Sequence, residues 1–298
     1  MWPRHHVAVP VAVIDVGSNT ARLHVARGEH VLYGERAMLR LGESIEQTGA
    51  IPEEKLVETV ECVAGFAQQA RLRGAERVEV LVTSPGRQAA NGGDLLARLA
   101  GATSVPVRLL SSDEEGRLAF LGAVGTVGGS ARRPIAVCDV GGGSTQIAVG
   151  TRRDGPTWVR SIDIGSMRLT SRLLGEDPPG EDAVALARAE LERALAGVLP
   201  PVPELALAVG GSARALRDIV GAKLGASEID KLVAILACTP AREIVEHYGV
   251  DRQRVRTLTA GAIIFEVVCE RLGVPLRVAR GGVREGAVME LERHREAA

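Results

Sequence analysis

At 298 residues, with 46% hydrophobic and 24% charged positions, the chain has the make-up of a folded globular protein long enough for two domains that each bury a core. A formal net charge of −1 and an aromatic content of 2% argue against a nucleic-acid partner, since there is neither a global cationic field nor a supply of rings for base stacking. No run approaches the ~20 apolar residues of a membrane span, so no membrane partner is expected either.

Three short strands open the chain at 11–16, 21–27 and 30–37, with Gly17, Ser18 and Asn19 punctuating the first turn. Pro52 begins an amphipathic helix to about Arg73, followed by strand 77–83, helix 94–101, strand 105–110 and helix 112–123. The loop GTVGGSARRP at 125–134 marks a junction, dividing the chain into domains 1–124 and 125–298. The pattern then restarts: strands 134–139, 144–150 and 157–164, helices 165–174 and 180–197, strand 205–209 and helix 211–221. Helices 227–237, 240–247 and 251–272, strand 274–278 and a last helix from 283 complete it, the last one expected to pack back on the body with Arg284 and Glu285 near the cleft. A repeated β-β-β-α order predicts an α/β protein of two similar halves facing one cleft.

The four cysteines, Cys62, Cys138, Cys238 and Cys269, form no CxxC pair and read as buried free thiols of a reducing compartment. The apolar run 7–14 is short, carries Pro10 and meets Asp15, unlike a secretory leader. A cytoplasmic location is therefore expected. His5 and His6 read as flexible, and no histidine pair has metal-ligand spacing.

The chemistry concentrates in two matching stretches, AVIDVGSNT at 12–20 and AVCDVGGGST at 136–145, whose aspartates Asp15 and Asp139 lie 124 residues apart. A strand that ends in Asp and turns through glycine sets a carboxylate beside unpaired backbone N–H groups, a place for a phosphate and a metal together. Gly141, Gly142 and Gly143 allow close approach of the backbone, and Ser144 and Thr145 add hydroxyl donors. Either turn alone is equally a plain hairpin; their recurrence points to duplicated function. In SSDEEGR at 111–117, Ser111 or Ser112 stands three residues before Glu114 or Glu115, so either pair suits a capping box. Gly211 and Ser212, in AVGGSARAL at 208–216, suit a second phosphate or a nucleotide end, or simply close helix packing. Arg22 and Arg87 read as phosphate ligands or as surface arginines.

These stretches resemble the exopolyphosphatase and guanosine pentaphosphate phosphatase (Ppx/GppA) family of the actin, Hsp70 and sugar-kinase superfamily. The resemblance rests on DVGSNTARL at 15–23, RLGE at 40–43, TSPGRQA at 83–89, DEEGR at 113–117, DVGGGSTQ at 139–146, AVGGSARAL at 208–216 and GGVREG at 281–286, in the family's order. It implies two duplicated ribonuclease-H-like (actin-like ATPase) domains around a central cleft. It places the catalytic glutamate on Glu115, leaving Glu114 for capping. It further implies Mg²⁺ positioned by Asp15 and Asp139, phosphates cradled by Ser18, Asn19, Gly141, Gly142, Gly143, Ser144 and Thr145, and charge neutralised by Arg22 and Arg87.

The implied activity is hydrolysis of the terminal phosphoanhydride of inorganic polyphosphate. The alternatives are a guanosine pentaphosphate 5′-phosphatase and a weakly active or inactive binder of polyphosphate or an alarmone, with a superfamily kinase as a distant competitor; association into a homodimer is left open. Gln146 is a departure, because the family's triple-glycine motif normally continues into glutamate. A neutral amide is a poor ligand for a hard cation, so Gln146 counts only as a doubtful metal ligand, and Gln146→Glu is expected to lower the Mg²⁺ requirement. The chain closes after the two superfamily domains, and less surface for long polyphosphate is expected than in longer family members.

Overall fold

The computed structural model describes residues 9–296, so the expectation for His5 and His6 lies outside the described residues. Strands β1 (Val11–Val16), β2 (Thr20–Arg27), β3 (His30–Met38), β4 (Arg77–Val82) and β5 (Val107–Leu109) form one sheet in the order β3-β2-β1-β4-β5. Strands β6 (Ile135–Val140), β7 (Thr145–Thr151), β8 (Gly155–Ile162), β9 (Leu205–Val209), β10 (Lys223–Leu224) and β11 (Leu276–Val278) form the other, ordered β10-β11-β9-β6-β7-β8. Without β10, the second sheet reads β8-β7-β6-β9-β11 and matches the first strand for strand. In both, an antiparallel three-strand meander is followed by two strands parallel to its first member. These are the two ribonuclease-H-like halves that the resemblance implied. β1 and β6 run almost without polar residues because each is central to its sheet and covered on both faces.

The helices are α1 (Leu41–Thr48), α2 (Glu53–Leu72), α3 (Ser84–Gln88), α4 (Gly92–Thr103) and α5 (Ser112–Val124) in the first half. In the second they are α6 (Ser166–Leu173), α7 (Glu181–Ala194), α8 (Gly210–Val220), α9 (Ala226–Cys238), α10 (Ala241–Tyr248), α11 (Leu258–Leu272) and α12 (Val283–Glu296). α2 and α4 cover the outer face of the first sheet, burying Leu56, Val63, Leu95 and Leu99 on Ile14 and Leu23. α7, α9 and α11 cover the second, with Leu191, Leu232 and Phe265 in its core. A third core lies between the sheets, where Phe120 of α5 and Val288 of α12 join Val13, Leu81, Val137 and Leu207. α12 thus lies against α5 and β1. Among the described residues no helix is long and apolar enough to cross a membrane.

Three elements escape the sequence pattern. α1 has eight residues, starts after Arg40 in the left-handed conformation and has no side-chain cap. α3 (SPGRQ) carries both Pro and Gly in five residues and reads as a turn, and β10 is two residues long. The helix expected over 251–272 begins only at Leu258, after a 3₁₀ turn at Val255–Thr257. All four cysteines are free as expected, but Cys238 is exposed and Cys62 half-buried, so only Cys138 and Cys269 are the buried thiols that their apolar contexts suggested.

Candidate active site

The two aspartate hairpins meet across a cleft that is partly open to solvent. Each turn closes in the same way: Gly17 N–H donates to Thr20 O and Gly141 N–H to Ser144 O, both at 3.0 Å. Each turn also caps the helix that follows its meander. Ser18 O accepts from Gly42 N–H of α1 at 2.8 Å, while Gly141 O and Gly142 O accept from Ser166, Met167 and Arg168 of α6 at 2.9–3.0 Å. With the carbonyls turned to the helices, the amides of Ser18, Asn19, Gly142 and Gly143 have no backbone acceptor among the described residues, an array suited to an anion. The turns also touch. A Cβ on Gly143 would lie 2.5 Å from Ser18 Oγ and 2.7 Å from Ser84 Oγ, and those two hydroxyls are themselves 2.5 Å apart.

The glutamate ambiguity resolves at the start of α5. Ser111 Oγ accepts from Glu114 N–H at 3.2 Å and Glu114 Oε2 accepts from Ser111 N–H at 2.9 Å, a reciprocal capping box. Glu114 is thereby spent, while Glu115, 7% exposed, lines the cleft. Arg87 of α3 donates Nη2–H to Glu115 Oε2 at 2.8 Å and Nη1–H to Leu110 O at 2.7 Å. Burial pushes the Glu115 carboxyl up to about 7; Arg87 pulls it down, and Asp139 and Asp15 push it further up.

The rest of the cleft is electrically strained. Asp139 is raised to about 6, first by burial and then by Asp15, against Arg214 and Arg284. Burial raises Asp15 against the pull of Arg284 and Arg22. Arg22 is lowered to about 9 by burial and by the cations Arg284, Arg214 and Arg254. Like charges are thus crowded in both senses: a bound cation would relieve the aspartates and a bound polyanion the arginines.

Of the expected site residues, Asp15, Ser18, Asn19 and Arg22 of the first half line the cleft together with Glu115. So do Asp139, Gly141, Gly142, Ser144, Gly211 and Ser212 of the second. Four others are placed elsewhere. Thr145 is fully buried with its hydroxyl donated to Ile164 O at 2.7 Å, and Gly143 packs on the opposite turn. Arg87 is committed to Glu115 rather than to the cleft wall. Gln146, 1% exposed, donates Nε2–H to Ser144 Oγ at 2.9 Å and to Ser161 Oγ at 3.2 Å, with Oε1 unpartnered.

Sequence reasoning did not single out Ser84, Arg214, Arg254 or Arg280, all in the cleft wall. Ser84 and Arg214 lie inside quoted motifs and were within reach. Arg254 follows no motif and reaches the cleft beside Gly211, where an added Cβ would strike its guanidinium.

Two ribonuclease-H-like halves closing on paired aspartates, unpaired turn amides, clustered arginines and one buried glutamate define a phosphoryl-transfer enzyme. Comparison with known proteins agrees. The sequence profile of the Ppx/GppA phosphatase family matches residues 23–295. Exopolyphosphatase 1 of Mycobacterium tuberculosis is 31% identical over 301 residues, covering 94% of this chain and 87% of the relative. Exopolyphosphatase 2 of the same organism is 30% identical over 315 residues, covering 94% and 98%. The crystal structure of the Aquifex aeolicus Ppx/GppA family member superposes with a TM-score of 0.81 at 26% identity, over 97% of this chain and 99% of that one. The chain belongs to the Ppx/GppA phosphatase family.

Proposed function

We propose that the protein is a Mg²⁺-dependent exopolyphosphatase that removes the terminal phosphate of inorganic polyphosphate. The observation that carries this reading is Glu115: released from capping by Glu114, buried in the cleft wall and raised to about 7, it has the basicity a general base needs near neutral pH. In the reaction, water oxygen bonds the terminal phosphorus while the bridging P–O bond breaks. The water proton passes to Glu115, and the shortened chain leaves with the electron pair on its terminal oxygen. The unpaired turn amides and Ser18 and Ser144 would hold the non-bridging oxygens, with Arg22 offsetting their charge.

Mg²⁺ suits the donor set. It keeps several waters and takes one or two carboxylates plus substrate phosphates. Asp15 and Asp139, from opposite halves of one cleft, would supply the two carboxylates. Bound there, the ion would neutralise charge developing on the phosphate oxygens.

Polyphosphate is favoured over guanosine pentaphosphate because among the described residues no aromatic ring lines the cleft to stack a base, whereas Arg22, Arg214, Arg254, Arg280 and Arg284 do line it. The names of the mycobacterial relatives point the same way. An inactive binder is disfavoured because Gln146 lies off the cleft wall, so its neutrality removes no ligand from it. The free cysteines support a cytoplasmic location. Phosphate release from polyphosphate, guanosine pentaphosphate and ATP, each with Mg²⁺ or EDTA, tests the reading: fastest release from polyphosphate, abolished by EDTA, is expected. Faster release from the nucleotide would transfer the assignment to the alarmone.

A further inference from the structure

The last helix belongs by sequence to the second half, yet it is fastened to the helix that carries the base. Gly122 of α5 meets the start of α12 so closely that a Cβ there would lie 2.8 Å from Gly286 N and 2.9 Å from Gly282 N. Gly286 in turn packs on the carbonyl of Leu118, one helical turn after Glu115. Farther along, Glu290 of α12 accepts from Arg117 of α5 at 2.7 Å and from Arg108 of β5 at 3.2 Å. The backbones of the two helices meet here with no space for a side chain between them, so the first turn of α12 is held close to the turn that carries Glu115.

That first turn carries Arg284 into the cleft wall. Its nearest carboxylate is Glu285 Oε1 at 3.9 Å, beyond hydrogen-bond reach, and the other oxygen of Glu285 is taken by Gly282 N–H at 2.8 Å. Among the described residues Arg284 therefore has no hydrogen-bonded partner, whereas Arg87 is fully engaged by Glu115 and Leu110. It nevertheless shares one cleft wall with the aspartates of both halves, Asp15 and Asp139. An arginine with no hydrogen-bonded protein partner, in one cleft with both aspartates and on a helix locked to the base, is positioned for an anion that arrives with substrate.

Resting on the hydrolase reading, we infer that Arg284 is the cation that binds the phosphoryl group under attack and stabilises the charge it gains in the transition state. The planar guanidinium can span two phosphate oxygens, which a lysine ammonium cannot match.

The test compares Arg284→Ala and Arg284→Lys with wild type for phosphate release from polyphosphate, tripolyphosphate binding and thermal melting. Loss of a preorganised transition-state donor lowers kcat by about 10² to 10³, so the Ala variant is expected to fall in that range with unchanged melting. Added guanidinium ion should recover part of its rate, and the Lys variant should stay well below wild type. An Ala variant that turns over like wild type overturns the assignment. So does one that loses activity together with melting temperature and gains nothing from guanidinium, since that marks a helix-packing role. If the wild type itself releases no phosphate, the hydrolase reading fails first. Tripolyphosphate binding then decides the Arg284 contact: equal affinity in wild type and Arg284→Ala rejects it, and weakened affinity in the variant upholds it.

Discussion

The two aspartate hairpins share one backbone and part company at one position. Asp15 pairs across its ladder with Arg22, and Asp139 pairs across the matching ladder with Gln146, the same repeat distance later. The turn bond and the capping of the next helix are the same in both halves. Arg22 lines the cleft, whereas Gln146 is buried and holds the hydroxyls of Ser144 and Ser161. Duplication thus kept the geometry that exposes turn amides and let the charge diverge. The first hairpin brings its own cation to its aspartate. The second leaves that task to Arg214 of α8 and Arg284 of α12, and uses its cross-strand residue to fix a serine.

The widest test of this asymmetry is the group that both hairpins act on. Glu115 is pushed up by Asp139 and Asp15 alike, and Glu115→Gln should cut kcat by about 10² to 10⁴ while leaving tripolyphosphate affinity nearly unchanged. Near-normal turnover would remove Glu115 as the base and with it the idea of a site shared between the hairpins. The next largest effect separates them. Arg22→Ala should weaken tripolyphosphate binding by about 1.5–3 kcal/mol, roughly a tenfold to hundredfold change that shrinks with added salt. Gln146→Ala should leave that affinity close to wild type. Equal losses in the two variants, measured by calorimetry at two ionic strengths, would mean that the hairpins contribute alike.

The architecture was legible because the repeat is written in the residues that build it: small apolar strands, an aspartate and a glycine turn recur at 124 residues, and the sheets follow in matching order. Even the missed helix α1 was available from the repeat, since Leu41–Thr48 occupies in the first half the place that Ser166–Leu173 occupies in the second. Pattern alone hid it, because its start is capped by the Ser18 carbonyl from a distant turn rather than by a local side chain. The site was legible where a motif residue sits on the turn itself, as Asp15, Ser18 and Asp139 do. It was not legible where tertiary contacts redirect a side chain. Strand alternation could not reveal that Thr145 gives its hydroxyl to Ile164, or that the short helix α3 turns Arg87 onto Glu115.

Arg87 yields a smaller effect with a definite sign. Its guanidinium, hydrogen-bonded to Glu115, is what lowers that carboxyl, so Arg87→Ala leaves burial and the two aspartates unopposed and moves the carboxyl above about 7. A general base works only when deprotonated, so the acid limb of the kcat/KM profile should move to higher pH and the rate deficit should be largest in acid and fade in alkali. Substrate affinity measured in alkali should stay near wild type, because Arg87 is not part of the cleft wall. A salt-dependent loss of affinity with an unmoved acid limb would return Arg87 to the phosphate-binding role that the sequence suggested.

The smallest effect on Mg²⁺ use is expected from making the hairpins more acidic, by Gln146→Glu. The sequence alone suggested that a carboxylate here would strengthen Mg²⁺ binding. The surroundings argue otherwise: the side chain is buried behind Ser144, away from the cleft, and its amide donates to Ser144 Oγ, which leaves the serine proton free for a phosphate oxygen. A carboxylate can only accept, so Ser144 and Ser161 would have to turn their protons inward, and a second buried anion would stand directly across the ladder from Asp139. The Mg²⁺ concentration for half-maximal hydrolysis should therefore be unchanged, while melting temperature drops, by about 2–4 °C for each kcal/mol in a chain of this size. A lowered Mg²⁺ requirement with melting restored by the ion would show instead that position 146 reaches the metal. The amide would then be a lost ligand rather than a serine-orienting donor, and the two hairpins would differ in strength, not in kind.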